Sequence, residues 1–326
     1  MTAPSEEYID NYTLPAFTCP YAYLNDAAHL INLYVEKRLK NIAATTTNTP
    51  LALMVSGGID SLHTAAVTAR AGVKVEAFTF AWENDQEGMD ELNAAKEVCE
   101  QLEIPHHTVA PDEQRMRGLI RSTVSLLDTT EPWEILAGLI LHAVAGEVAR
   151  VLPGAPIVSA SGADSLFLGG KEFTPRDTDE ETVQAWEEAV VAELKKSFVR
   201  GRFIPDFYER ILGSDANYFK VWQTHEAIEC VAKLHPYAIR GGKWDQDKVV
   251  IRYALEKFGI GAHIARRSKN PMQVSSGGLQ ALEDCARGSL AEQFEGRTYS
   301  DPLTEDRRFT VARLFLNQIG GARFDK

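Results

Sequence analysis

The 326-residue chain carries 34 basic and 46 acidic residues, a formal net charge of −12 at neutral pH, which argues against broad electrostatic binding to nucleic acid or to an anionic membrane. At this length one large α/β unit with a helical extension is expected. Cys19, Cys99, Cys230 and Cys285 are scattered without a Cys-x-x-Cys pair, and no basic-then-apolar leader opens the chain, so reduced core thiols and a cytoplasmic location are expected.

Residues 1 to 24 are punctuated by Pro4, Pro15 and Pro20 and read as irregular. Asn25 or Asp26 is then expected to cap a helix through Arg38, with Leu30, Ile31, Tyr34 and Leu39 as its apolar stripe. A polar segment, 45–50, leads into an apolar strand at 51–55, a glycine turn, and an alanine-rich helix at 62–70. Further along come a strand at 75–82, a helix at 90–102, a short strand at 106–109 and a helical region at 129–152. The apolar part of that region is broken by His142, Glu147 and Arg150 and so suits a buried helix better than a membrane span. Ile157 to Ala160 repeats the apolar-strand pattern. This β-α-β-α order predicts an α/β fold, a parallel sheet covered by helices on both faces, with ligand outside the carboxyl ends of the strands. Beyond residue 171 helices are expected at 177–197, where Trp186, Val190, Val191 and Leu194 face inward, and at 218–234, 248–258, 278–287 and 310–319. The chain thus divides into an N-terminal extension (1–45), an α/β core (46–175) and a helical part (176–326) expected to complete the core's site.

The turn Ser56-Gly57-Gly58-Ile59-Asp60-Ser61 joins a buried strand to a helix start, where backbone N–H groups and the helix dipole favour an anion. Gly57 and Gly58 allow close approach of phosphate oxygens and positive φ, while Ser56 and Ser61 offer hydroxyls. A carboxylate at Asp60 would repel a polyphosphate unless a divalent cation sat between them, which implies Mg2+. The plain alternative is a strand-to-helix turn in which Ser56 or Asp60 only caps the helix. The segment 157–170 repeats the construction, with Ser159, Gly162 and Asp164 following an apolar strand, so Asp60 and Asp164 together form a candidate metal pair.

The first turn resembles the signature of the ATP pyrophosphatase (PP-loop) enzymes, which split ATP between its α and β phosphates. The second resembles the Ser-Gly-x-Gly-Ser-Asp-Glu-x-x-Gly-Gly segment of the asparagine synthetases and of their β-lactam and carbapenam synthetase relatives. Here Ala160 and Ala163 replace small residues, one extra residue precedes Gly169, and Ser165 stands where glutamate is usual. Lys243 to Leu255 resembles the family's lysine-bearing helix, and Arg266 to Gly277 its basic loop. In that alignment Lys269 takes the place of the lysine that binds the leaving pyrophosphate, with Lys248 or Arg252 assisting. His235-Pro236-Tyr237 resembles a segment that precedes the lysine helix in β-lactam synthetases. The tyrosine of their base dyad is replaced by Ser161, and neither Glu226 nor Glu229 aligns with its glutamate.

The resemblance spans roughly residues 26 to 300 and implies an adenine-nucleotide α-hydrolase type fold with a helical C-terminal portion, ATP and Mg2+ as cofactors, and cofactor contacts from Val55, Ser56, Gly57, Gly58, Asp60, Ser61, Phe80, Ser159 and Gly162. Adenine is expected to meet main-chain groups near Met54, Val55, Phe80 and Ser159, which otherwise read as sheet core. Glu131-Pro132-Trp133 either touches the acceptor or is simply a helix start with Pro132 at its first position. The implied activity is an AMP-forming ligase that adenylates a carboxylate or amide-like oxygen and passes it to ammonia or an amine. Thr2 stands where a glutaminase domain has its cysteine, so free ammonia, a separate glutaminase subunit or a substrate amine is the expected nitrogen source. A homo-oligomer is an open expectation. The alternatives are a PP-loop enzyme acting on a nucleobase or tRNA, disfavoured by the acidic charge, and a catalytically silent nucleotide-binding partner.

Overall fold

Apolar runs too short to be helices pair side by side into one parallel sheet in the computed structural model, which describes residues 5–46, 49–214, 217–242, 244–267, 272–294 and 301–324. In chain order the elements begin with α1 (Leu24–Ala44), β1 (Leu51–Met54), α2 (Ile59–Arg70), β2 (Val75–Phe80), α3 (Gln86–Gln101), β3 (His106–Val109), α4 (Glu113–Leu127), α5 (Pro132–Val151) and β4 (Ile157–Ser159). They continue with α6 (Ala163–Phe167), α7 (Asp179–Ser197), α8 (Phe207–Leu212), β5 (Tyr218–Lys220), α9 (His225–Val231), α10 (Pro236–Arg240) and α11 (Val249–Lys257). The last four are α12 (Ala262–Ala265), α13 (Met272–Ser275), α14 (Gly278–Phe294) and α15 (Arg307–Phe324).

The strand order is β3-β2-β1-β4-β5 and every pairing is parallel. From β1 the chain first builds outward to β2 and β3, then returns to the other side of β1 for β4 and β5. The switch point therefore lies between β1 and β4, and in such sheets the crevice beyond the strand ends at that point is where ligands bind. Both glycine turns leave the sheet there.

Parallel strands covered on both faces lose the polar-apolar alternation, and β1 is buried along Leu51, Ala52 and Leu53. Leu51, Leu53 and Val158 belong to a core built with Ile31, Val35 and Leu39 of α1, Leu62 and Ala66 of α2, and Ile251 and Leu255 of α11. Ala52, Phe78 and Ile157 meet Met116 of α4 and Leu139, Ile140 and Val144 of α5 on the other face. All four cysteines are free and buried, as expected of core thiols. Among the described residues no helix is long and apolar enough to cross a membrane.

Besides the short helices α6, α8, α10, α12 and α13, which the sequence expectation does not contain, three elements depart from it most clearly. The first helix starts at Leu24 and reaches Ala44, so Asn25 and Asp26 lie inside its first turn, and Tyr23 precedes it without a side-chain cap. Helix α4 is absent from the expectation although Met116, Leu119, Ile120, Thr123, Val124 and Leu127 recur at helical spacing. It is capped by Asp112, whose carboxylate accepts from the Arg115 N–H at 2.7 Å, and buries Met116, Thr123 and Leu127 while Leu119, Ile120 and Val124 pack at the core edge. Tyr218 to Lys220, expected to begin a helix, is instead the edge strand β5, in register with Ile157 to Ser159. The helix starts later, at His225, where the Thr224 hydroxyl accepts from the Ala227 N–H. Parallel pairing over some sixty residues is a non-local choice that a local apolar run cannot announce.

The N-terminal segment is tied down along its length. Ile9 N–H donates to Phe198 O, Thr18 and Cys19 N–H to Ala232 O, and Tyr21 forms a parallel bridge with Leu234. Its anchor is Glu7, a buried carboxylate that accepts from the Lys220 N–H at 3.2 Å and pairs with Lys220 Nζ at 3.3 Å and Arg38 Nη2 at 3.5 Å. Burial pushes the Glu7 carboxyl above the usual range, against the opposing pull of Lys220 and Arg38.

Candidate active site

The turn after β1 is laced by its own side chains. Ser61 Oγ, one helical turn into α2, accepts from the Ser56 N–H at 3.0 Å and lies within donating distance of Ser56 O (2.8 Å) and Gly58 O (2.9 Å), while Ser56 Oγ accepts from the Gly58 N–H. Gly58 precedes α2 with extended backbone, and neither Gly57 nor Gly58 uses positive φ. Gly57 is required for a different reason. A Cβ there would stand 2.7 Å from Glu91 Cα, because α3 presses its backbone against the turn. The N-terminus of α2, with Asp60 in its first turn, is thereby aimed at the crevice.

The turn after β4 is braced by other elements. Gly162 has φ 105°, and a Cβ there would collide with the backbone of Trp222 and Gln223. That position requires glycine on both counts. Asp164 lies in the first turn of α6, which ends at Leu168 in the left-handed region (φ 48°). The guanidinium of Arg240, at the end of α10 and only 1% exposed, donates to Leu168 O (3.1 Å), Lys171 O (2.9 Å) and Gln246 O (3.2 Å). Gly170 N–H donates to Asp247 Oδ2 at 2.8 Å, and Arg252 holds Asp247 through both its side chain and its carbonyl.

Between the turns stands Lys248. It precedes α11 in the left-handed region (φ 49°), is 3% exposed, and its ammonium contacts Asp60 Oδ2 at 2.5 Å and also Asp164 Oδ1. Burial alone would lower the lysine pKa, but the two carboxylates outweigh it and raise it above its ordinary value, so the ammonium stays charged. A Cβ on Gly169 would collide with Asp164 Oδ1 and Lys248 Cε, so the bare glycine leaves the space in which they meet.

Asp60 and Asp164, a candidate pair in the sequence, are thus joined with Lys248 in one cluster. Lys269 lies outside the described residues, as does Lys243. Its flanks are placed: Arg267 Nη1 donates to Asp90 O of α3, and Met272 packs on the core that holds Phe80 and Trp82. Val55 uses its N–H on Phe78 O and its carbonyl on the Thr79 hydroxyl. Phe80 is buried at the end of β2, and Met54 packs between the α4–α5 and α8 sides. Ser159 Oγ reaches Ser161 Oγ (3.0 Å) and Tyr218 OH (2.8 Å). Arg252 is a brace, donating also to Ala265 O and Arg267 O. Glu226 pairs with Lys37 and Glu229 accepts from Tyr12 OH, each on the surface. Glu131 caps α5 ahead of Pro132, with Trp133 exposed beside it.

Arg240, Asp247 and Lys220 were not singled out by sequence reasoning. A basic residue in the last turn of a helix is usually solvated or dipole-bound, and only the fold brings Arg240 to a loop 70 residues earlier. The helix opened by His235-Pro236-Tyr237 is the element that delivers it.

The cluster suits a hard divalent cation in part. Two carboxylate oxygens converge on one positive charge, and no group of three or more His, Cys, Asp or Glu side chains that could hold a metal occurs among the described residues. Magnesium is commonly held by one or two carboxylates plus substrate phosphates, so Asp60 and Asp164 fit that role.

Residues 35–234 match the family model described as asparagine synthase. The chain is 38% identical over 92 residues to the tRNA-specific 2-thiouridylase MnmA of Prochlorococcus marinus, covering 27% of this chain and 22% of that protein. It is 29% identical over 145 residues to the glutamine-hydrolyzing asparagine synthetase of Asparagus officinalis, covering 41% of this chain and 24% of that protein. The chain therefore spans about a quarter of the length of these curated relatives. Among solved structures it is similar to NMN synthetase from Francisella tularensis, with a TM-score of 0.33 and 16% identity, covering 73% of this chain and 97% of that one.

Proposed function

The chain belongs to the asparagine synthase family, and on that premise we propose that it is an AMP-forming ligase acting on MgATP. The oxygen of a substrate carboxylate, or of an amide-like group, attacks the α-phosphorus, and the bond to the β-phosphate oxygen breaks to release pyrophosphate. Ammonia or an amine then attacks the activated carbon, AMP leaves, and a C–N bond remains. A lost proton passes to solvent or to a base on the substrate.

The observation that carries this reading is the meeting of Asp60, from the turn after β1, with Asp164, from the turn after β4, on the Lys248 ammonium at the switch point. Magnesium held by Asp60 and Asp164 would neutralise charge on the phosphates. The first turn supplies backbone N–H groups at the start of α2, the Ser56 and Ser61 hydroxyls fix its shape, and Lys248 brings positive charge to the side where pyrophosphate departs. Stabilising charge that grows in the transition state, together with alignment of the reactants, is what such a site contributes. Lys269 is proposed as a second cation on the departing pyrophosphate. The attacking nitrogen is that of ammonia or of a substrate amine.

Incubation with ATP and a panel of carboxylic acids and amines should release AMP and pyrophosphate in equal amounts, read by ³¹P NMR. Release of ADP instead would reject the proposal. A second reading is favoured by the 92-residue likeness to a tRNA-specific 2-thiouridylase: the same activation applied to a base in tRNA. The net charge of −12 opposes it, and a salt-sensitive shift of tRNA on a gel would restore it.

A further inference from the structure

We propose that Lys248 is the site's resident counter-ion: in the protein without nucleotide its ammonium holds Asp60 and Asp164 together, keeps a free divalent ion out, and gives way only to a metal that arrives with the polyphosphate. The inference rests on the reading above for the identity of the ligand, and it concerns the order in which the site fills.

The placement of Lys248 is built rather than incidental. A lysine with φ 49° costs backbone energy that glycine or asparagine would avoid, and at the position before α11 its side chain caps nothing. The backbone is held from both sides. Lys248 O accepts from the Ile251 and Arg252 N–H groups, and Asp247 is fixed by Gly170 N–H and Arg252. Its stem is buried against Gly169, whose missing side chain is the space it fills. These constraints deliver one ammonium to two carboxylates that come from different turns.

Two carboxylates and one ammonium leave a single net negative charge. A divalent ion entering alone would have to sit beside a buried ammonium, and in a partly desolvated pocket that repulsion is poorly screened. Displacing the ammonium outward without a new partner would strand a buried charge. A polyphosphate changes both terms, because it supplies anionic oxygens to receive the ammonium and further ligands for the metal. The cluster is open on the appropriate side: the Asp164 side chain is 77% exposed, whereas those of Asp60 and Lys248 are 13% and 4% exposed. Metal affinity and nucleotide affinity are then reciprocally coupled.

Mn2+ serves as the probe, titrated by electron paramagnetic resonance into the full chain without nucleotide. Lys248→Met should bind one Mn2+ about tenfold or more tighter than the wild type, and Mn2+ should raise the melting temperature of the variant alone. Lys248→Arg, which keeps the charge, should behave as the wild type. Wild-type binding of Mn2+ as tight as that of Lys248→Met would overturn the proposal. Should the methionine variant not fold, Lys248→Gln makes the same comparison, and tight one-site Mn2+ binding by the wild type alone is already sufficient to overturn it. None of these readings needs an acceptor substrate, so a protein that forms no AMP defeats the ligase reading and leaves the metal result standing.

Discussion

The turns after β1 and β4 bring their aspartates to the same ammonium by opposite constructions. The first holds its shape largely with its own Ser56 and Ser61, against the backbone of α3 at Glu91. The second has bonds of its own, such as Ser159 Oγ to Ser161 Oγ and Gly169 N–H to Asp164 O, but is framed by Trp222, Gln223, Arg240 and Asp247, all from later in the chain. A self-laced turn should tolerate change in distant elements. A turn framed from outside should fail when its frame does.

The largest expected effect is at Gly162. Alanine there adds left-handed strain to a collision with the Trp222 and Gln223 backbone, about 3 kcal/mol or more of lost stability. Chemical denaturation checks it, and unchanged stability would mean that the second turn is free to move away from β5. Next comes Arg240→Met, which strands the Leu168, Lys171 and Gln246 carbonyls, for roughly 3 kcal/mol. It should also weaken binding of an ATP analogue, because Arg240 braces the loop from behind. A variant that melts early but binds ATP with full affinity would separate the second turn from the nucleotide.

Acid acts behind the first turn. His63 of α2 is fully buried against Asn32 Oδ1, and burial depresses its pKa to about 3. Its folded pKa lies below the unfolded value, so the unfolded chain binds more protons between these values and stability falls as pH drops below about 6.5, by about 2 kcal/mol at pH 5. His106, lowered to about 4 by burial, adds in the same sense, whereas Glu7, raised by burial, opposes it. Melting curves from pH 7 to pH 5 should show this slope, and His63→Gln should flatten it. The smallest effect is Ser61→Ala, which removes the lacing of the first turn for about 1 kcal/mol, a shift of roughly 2 °C in Tm. A drop as large as that of Arg240→Met would erase the distinction between the two turns.

What was legible in the sequence follows the same division. Four strands, the first glycine turn and the helix behind it are local signals: apolar runs, two adjacent glycines, a serine one turn into a helix. The pairing of Asp60 with Asp164 could be read because both turns repeat one pattern. Edge strand β5 was not legible, since three residues in parallel register carry almost no periodic signal of their own, whereas the stripe of Met116, Leu119, Ile120, Val124 and Leu127 in α4 is a local signal that the sequence reading passed over.

The sequence by itself therefore determined the parallel α/β architecture, the chemistry offered at each turn and the presence of a lysine ahead of α11. Tertiary structure alone decided that this lysine stands between the two aspartates, and that the second turn is held by an arginine and an aspartate from the helical part. The physical reason is range. Strand, turn and helix start are set by interactions within a few residues, whereas the position of a buried charge depends on which distant groups neutralise it once the sheet has closed around them.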